Sequence, residues 1–325
     1  MQLKQDRKVF DIVTMILSLI FPVVLSLFLS IIMKKDFSQI IQKSVWTALP
    51  FAFLFRTVIN VTNKISYKKM PISPFTIIGF YINQLEILKV INNTIHKGKE
   101  IQVDNRLGGS YYKLIYPEGI EIWVGVNSSQ RIENVLPFFK GKNINALEIA
   151  CPVDDPKSPY RGAFTAWPQP CVSKDEHPPI VFDTPDYLLH SEGKFPKKVD
   201  VSLTAFASHI RVFQNQREFF LDGEDDFTES TKSFVSGGLS KFSKDGKDKP
   251  EAYAVFTGTV KNAKLVENTE TLMNFFWISV ETLNIDIDVV VDRRMLKSTP
   301  RKGNVVRVSA WIVGDWIEHA SVEQA

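Results

Sequence analysis

From Ile12 to Met33 the chain carries no charged residue and is built mostly of Ile, Leu, Val and Phe. At about 1.5 Å per residue, a helix of that length crosses a hydrocarbon core. A cleaved signal peptide would have a shorter apolar region and a small-residue cleavage site, whereas here Lys34 and Lys35 follow directly. Pro22 removes one backbone donor in mid-helix, and a kink there is tolerated when neighbours satisfy the freed carbonyl. A second segment, Ser44–Val61, is apolar through Val45–Phe55 and is interrupted by Pro50, Arg56 and Asn60. We read it as the return helix of a hairpin, with Arg56 snorkelling towards headgroups.

Basic residues flank both segments: Lys4, Arg7 and Lys8 before, Lys34, Lys35 and Lys43 between, and Lys64, Lys68 and Lys69 after. A hairpin puts the two outer clusters on the cytoplasmic side. Residues 1–69 are therefore expected to form a membrane anchor. The lipid bilayer is the first expected partner, and the expected location is a bacterial inner membrane with the body in the cytoplasm.

The rest of the 325 residues is long enough for two modest domains, expected at 70–198 and 199–325. With 39 basic and 36 acidic residues the formal charge is +3, too small to mark the whole chain as a nucleic-acid binder. Cys151 and Cys171 stand beside prolines in no Cys-x-x-Cys or Cys/His spacing, so neither a zinc site nor a disulfide framework is expected.

Between Met70 and Lys97, Ile77, Ile78, Tyr81, Leu85, Leu88, Ile91 and Ile95 recur at helical spacing and predict an amphipathic helix. A short strand at Phe75–Phe80 competes with it, because Gly79 weakens a helix. Tyr112, Leu114 and Tyr116, the turn Pro117-Glu118-Gly119, and Ile120, Ile122 and Val124 predict a β-hairpin. Ala146–Ala150 and Ile180–Phe182 read as short strands separated by proline-rich loops. Val199, Val201 and Leu203 alternate with polar residues, and Asn215 is placed to cap a helix over Gln216–Leu221.

The last segment holds three strand-like runs, Ala252–Val260, Phe275–Thr282 and Ile285–Val291, then a break at Asp292–Arg301 and a return strand at Val305–Val313. That order suits a five-stranded OB-like Greek-key barrel with one strand still to be found. The expected fold is a mainly β (α+β) soluble body with an OB-like C-terminal barrel, preceded by an N-terminal transmembrane helical hairpin. The stretches Gly119–Val124, Val181–Asp186, Phe256–Val260 and Gly303–Val306 resemble a bacterial family of uncharacterised proteins with that kind of barrel. The resemblance spans roughly Lys99–Glu318. It implies the barrel and no activity, because its motifs are turns and strands.

Chemistry is harder to locate. Gly-x-Ser-x-Gly, P-loop, His-Glu-x-x-His and dinucleotide fingerprints are all missing from the sequence, so no cofactor is expected. The acidic patch Asp222–Asp226 lacks the order of a calcium loop and reads as a solvated loop, so no metal is expected. His177, His190 and His209 with Asp183 or Asp186 form a loose candidate set for a metal or a general base, against the reading of ordinary loop and surface histidines. Asp286 and Asp288 share a strand face, which alternation assigns to solvent.

The basic residues Arg293, Arg294, Lys297, Arg301, Lys302 and Arg307 lie near strands bearing Phe276, Trp277 and Trp311. They are the candidate site for single-stranded nucleic acid or another ligand, if the aromatics are exposed for stacking. The blander reading buries the aromatics in the barrel core and solvates the cations. The expected function is a membrane-anchored binding or interaction module of unknown ligand and unknown protein partner. The alternative is a membrane-tethered enzyme of unrecognised hydrolase type.

Overall fold

The computed structural model describes residues 71–80, 84–104, 107–170, 179–222, 230–237 and 250–317. The chain clusters into two compact units, Met1–Ile65 and Ser66–Ala325, and every described residue belongs to the second. Both apolar segments expected to span a membrane, Ile12–Met33 and Ser44–Val61, lie outside the described residues. Cys171, His177, Lys241–Lys249 and all of the acidic patch but Asp222 lie outside them too. Among the described residues no helix is long and apolar enough to cross a membrane.

The described body is mainly β, in two sheets. Its first element corrects the expectation of a strand at Phe75–Phe80, because Pro74–Ile77 is a short helix, α1. Ser73 caps it: Thr76 N–H donates to the Ser73 hydroxyl while Ser73 N–H donates to Thr76 Oγ1 at 2.7 Å. Pro74 occupies the first turn, where its missing N–H costs nothing. The amphipathic helix α2, Gln84–Lys97, follows. Its Ile91 and Ile95 pack inward as their spacing predicts, and Ile87, outside the predicted stripe, packs with them, whereas Leu88 is exposed.

Strands β1 (Lys99–Gln102), β2 (Ser110–Ile115), β3 (Ile120–Val126) and β4 (Ile132–Phe139) form an antiparallel meander. The predicted hairpin is β2–β3, with Leu114 opposite Ile122. Its turn needs glycine: Gly119 has φ +93°, and a Cβ there would come within 2.6 Å of the Lys140 carbonyl. Every residue of β3 is buried. Val124 and Val126 cluster with the α2 isoleucines, whereas Tyr111, Trp123, Leu136 and Phe138 share a core with Phe275, Trp277 and Val313 of the second sheet.

The second sheet holds β5 (Asn145–Asp154), β6 (Gly162–Pro168), β7 (Ile180–Asp183), β8 (Lys197–Phe213), β9 (Ser233–Ser236), β10 (Tyr253–Asn268), β11 (Met273–Glu281), β12 (Asp286–Asp292) and β13 (Val305–Trp316). Strands β10, β11 and β12 are hairpin neighbours, and β13 returns beside β10, a Greek-key order. The fifth strand is β8, whose alternation at Val199–Leu203 is legible in the sequence but carries no sign of its place in the barrel; it pairs antiparallel with β13 and parallel with β12 and so closes a five-stranded ring.

The long β8–β13 pair closes a second ring as well. The first residues of β8 pair with β5, β5 with β6, β6 with β7, and β7 with β13 through Val313 opposite Asp183. The boundary expected at 198/199 thus falls inside β8, a strand common to both rings. Their interiors form one core running from Leu147, Phe164 and Phe182 to Phe256, Ile278 and Val308. Each such fully buried side chain contributes roughly 1.5–3 kcal/mol.

Among the described residues two short helices and a 3₁₀ turn, Arg293–Met295, also lie between the strands. Helix α3 is Tyr187–His190, and α4 is Gln216–Asp222 with the expected Asn215 cap, whose Oδ1 accepts from Glu218 N–H at 3.0 Å.

Candidate functional site

The basic set predicted for ligand binding is not assembled into one surface. Arg293, Lys297, Arg301 and Lys302 are exposed along the β12–β13 connection. Arg294 turns back onto Asp292, a fully buried carboxylate, with Nε and Nη2 donating to Oδ2 at 2.9 and 2.6 Å. Arg307 lies over the Phe213 and Phe219 rings, with Asp222 at 3.6 Å. Phe276 and Trp277 are buried and offer no face to a base. The indole N–H of Trp277 donates to Asp288 Oδ1 at 2.7 Å.

That contact corrects the expectation that Asp288 faces solvent: it is fully buried. The loop after β4 covers it, with Gly141 against the carboxylate and Asn143 donating to it from both N–H and side-chain amide. Burial pushes its carboxyl up to about 6 against those hydrogen bonds.

Trp311, the remaining member of the predicted set, lies in a different place. It is half-buried on β13, its ring 5.4 Å from Phe206, and it lines a cavity of about 590 Å³ in the described body. Strand β4, the β5–β6 hairpin, the end of β7 and residues 250–252 just before β10 supply the other walls. The hairpin loop is built locally, since Asp155 Oδ1 accepts from Lys157 N–H at 2.9 Å and Oδ2 lies 3.4 Å from Arg161 Nε. Tyr160 anchors the loop to the first sheet, its hydroxyl donating to the Gly108 carbonyl at 2.6 Å. The Tyr111 hydroxyl donates to the Tyr160 carbonyl at 3.0 Å.

Among the described residues carboxylates dominate the cleft: Glu133, Asp154, Asp155, Asp183 and Glu251 stand against one cation, Arg161. Most are held by neutral donors. Asn127 and Ser158 hydrogen-bond Glu133, the Tyr187 hydroxyl donates to Asp154 at 2.7 Å, and the Trp311 indole donates to Asp183 at 2.6 Å. Burial pushes the Asp183 carboxyl up to about 6, with the Trp311 hydrogen bond and the Arg161 charge opposing the rise. Asn134 is only 6% exposed and lines the same cleft, yet its Nδ2 has no hydrogen-bond partner. An unpaired buried donor costs roughly 1–3 kcal/mol.

The candidate histidine–aspartate set divides. His190 Nε2 and Asp186 Oδ2 meet at 3.1 Å, with Thr184 donating to the other carboxylate oxygen, and the imidazole stacks on Trp316 at 4.4 Å. Burial raises the Asp186 carboxyl, but the His190 and Thr184 interactions outweigh it and the net shift is downward. No Ser, Thr or Cys hydroxyl or thiol bonds the His190 ring among the described residues, so no nucleophile–base pair forms there. His209 is exposed on β8, and Asp183 serves the cleft instead.

Beside that pair runs a buried charge cluster that sequence reading missed. Lys113 Nζ lies 2.8 Å from Glu121 and 3.9 Å from Asp315, bridging the two sheets, and the Trp123 indole donates to Glu121 at 3.1 Å. Burial, with Asp186 and Glu121 adding to it, lifts the Asp315 carboxyl to about 7 against the pull of Lys113. Alternation along β2 and β3 could have flagged Lys113 and Glu121, because both point the same way as Tyr111 and Trp123.

No family model, curated protein or solved structure matches this chain.

Proposed function

We propose that this protein is a membrane-anchored binding or interaction module whose ligand site is the carboxylate-lined cleft beside Trp311. The observation carrying this reading is a cavity of about 590 Å³ walled by Glu133, Asp154, Asp155, Asp183, Glu251 and the half-buried Trp311, a size suited to a small molecule or a single side chain. The finer fold reading, an OB-like barrel, is supported by the Greek-key ring of β8 and β10–β13. Anchoring in a bacterial inner membrane, with the body in the cytoplasm, is supported by the uncharged run Ile12–Met33 and its basic flanks. Reporter fusions at both ends test it, and an extracytoplasmic signal after Ala325 rules out the hairpin.

The ligand reading is tested by thermal-shift screening of the detergent-solubilised protein against small cations, sugars, amino acids and nucleotides. Compounds that stabilise it should lose their effect in the Trp311→Ala/Glu251→Lys double variant. Stabilisation that survives in that variant places the site elsewhere.

A second reading, a membrane-tethered hydrolase of unrecognised type, is favoured by Asp183, a carboxyl near 6 in a cleft, where it can exchange protons near neutral pH. Turnover of ester, phosphoester or glycoside substrates that disappears in Asp183→Asn would support it.

A further inference from the structure

We propose that a second groove, on the outer face of the five-stranded ring, binds a phosphate group, carried by a soluble phosphate ester or by an anionic lipid. Its volume is about 590 Å³, and it shares no lining residue with the cleft beside Trp311. Residues 117–119 of the β2–β3 turn, residues 139–142 after β4 and residues 262–267 of β10 wall it, with Trp277 of β11. Lys140, Lys142 and Lys264 line it; all three are exposed, and among the described residues none of them joins an ion pair. Antiparallel pairing sets Lys264 directly opposite Trp277, and the Lys142 ammonium lies 5.7 Å from the centroid of the same indole. Glu118 and Glu267 line the groove as well, and Glu118 Oε1 is taken by the Thr269 N–H. The cations are left in excess, and an anion between them is attracted by all three.

The loop carrying two of the lysines is held from beneath. Lys140 N–H donates to the Gly119 carbonyl at 2.7 Å. The buried Asp288 carboxylate accepts from the backbone N–H groups of Lys142 and Asn143, and the Asn143 amide bridges Asp288 and Ser279 at 3.0 and 2.9 Å. Gly141 lies so close to that carboxylate that a Cβ would fall 2.1 Å from it. Asp288 thus spends its hydrogen bonds on fixing the loop and leaves the ammonium groups free, an arrangement that lowers the ordering cost of binding. Lysine is a point charge that meets phosphate oxygens from several directions, whereas bidentate capture of a carboxylate calls for arginine. The volume exceeds that of a phosphate and has room for the rest of an ester or headgroup. The groove also adjoins the start of the described body, where Asn268 donates to the Ile78 carbonyl and the Phe80 ring meets Tyr116 at 5.6 Å. The lipid source rests on the membrane-anchor reading; the soluble source does not.

The test is calorimetric titration of the full-length protein in a maltoside detergent. The probes are glycerol 3-phosphate, uncharged glycerol, and micelles of the same detergent carrying phosphatidylglycerol or phosphatidylcholine. Glycerol 3-phosphate should bind where glycerol does not, and added salt should weaken it. The Lys140→Gln/Lys142→Gln/Lys264→Gln variant should bind about tenfold more weakly with an unchanged unfolding midpoint, since the three side chains are exposed. Glu267→Gln removes an opposing charge and should tighten binding, and Trp311→Ala should bind as the parent does. Tighter binding of the phosphatidylglycerol micelles than of glycerol 3-phosphate, with none to phosphatidylcholine, marks a lipid; the reverse order marks a soluble ester. No binding of either anionic phosphate probe, equal affinity of parent and triple variant, or loss of binding in Trp311→Ala overturns the inference. The first two results leave the reading of the Trp311 cleft untouched.

Discussion

Asp315 offers the most direct check on the physical account of this fold. Its side chain is 7% exposed, and its carboxyl is lifted from 3.8 to about 7, chiefly by burial. A carboxyl with a raised folded-state pKa favours the folded protein below the unfolded value and loses that contribution as pH climbs through the folded value. Between pH 4 and 7 the unfolded chain releases this proton and the folded one keeps it, so stability falls with rising pH. Each unit is worth roughly 1.4 kcal/mol, and the whole interval about 4 kcal/mol. Replacing Asp315 with Asn keeps the size and removes the ionisation. The variant and the parent should have closely similar urea-unfolding free energies at about pH 3 and below, where Asp315 is largely neutral in both states. The variant should then be the more stable by several kcal/mol at pH 8. Unfolding curves that shift in parallel with pH would refute the reasoning, because Asp315 would then titrate like an exposed aspartate. Loss of stability in the variant at pH 8 would show that the Lys113 contact outweighs burial.

Arg294→Ala should cost about 3 kcal/mol, since it strands Asp292 as a buried unpaired charge, whereas Arg293→Ala on the same turn should change stability by less than about 0.5 kcal/mol. Chemical denaturation of the two variants separates them. Gly162→Ala should lower the melting temperature markedly, because the added Cβ would lie 2.4 Å from the Tyr187 ring; an overpacking cost of roughly 1–3 kcal/mol is expected. Trp311→Phe should push the Asp183 carboxyl above its present value of about 6 by removing the indole donor, visible in a pH titration of the aspartate side-chain carbon resonance.

Local pattern alone determined a good part of the body. The β2–β3 hairpin follows from alternation plus a glycine turn, the α4 cap from Asn215, and β10 through β13 from runs of β-branched and aromatic residues between turn signals. Strand β6 was not legible, because its two faces are both buried and Gly162–Pro168 therefore shows no alternation, only a short apolar run among prolines. Ring closure was not legible either. That β8 pairs with β5 early and with β12 later, while β13 follows it on the other edge, depends on contacts between residues 48 to 115 positions apart, and no local period encodes them.

The site shows the same division. The sequence supplied Trp311, Asp183, Asp186 and His190 as candidates but grouped them by proximity along the chain. Tertiary packing regrouped them: Trp311 meets Asp183 across the β13–β7 pair, Asp186 keeps His190 one helical turn away, and Lys113, Glu121 and Asp315 gather where the two sheets meet. A side chain's residue type and period fix its local geometry. Its electrostatic role depends on which groups share its buried volume, and only the folded chain decides that.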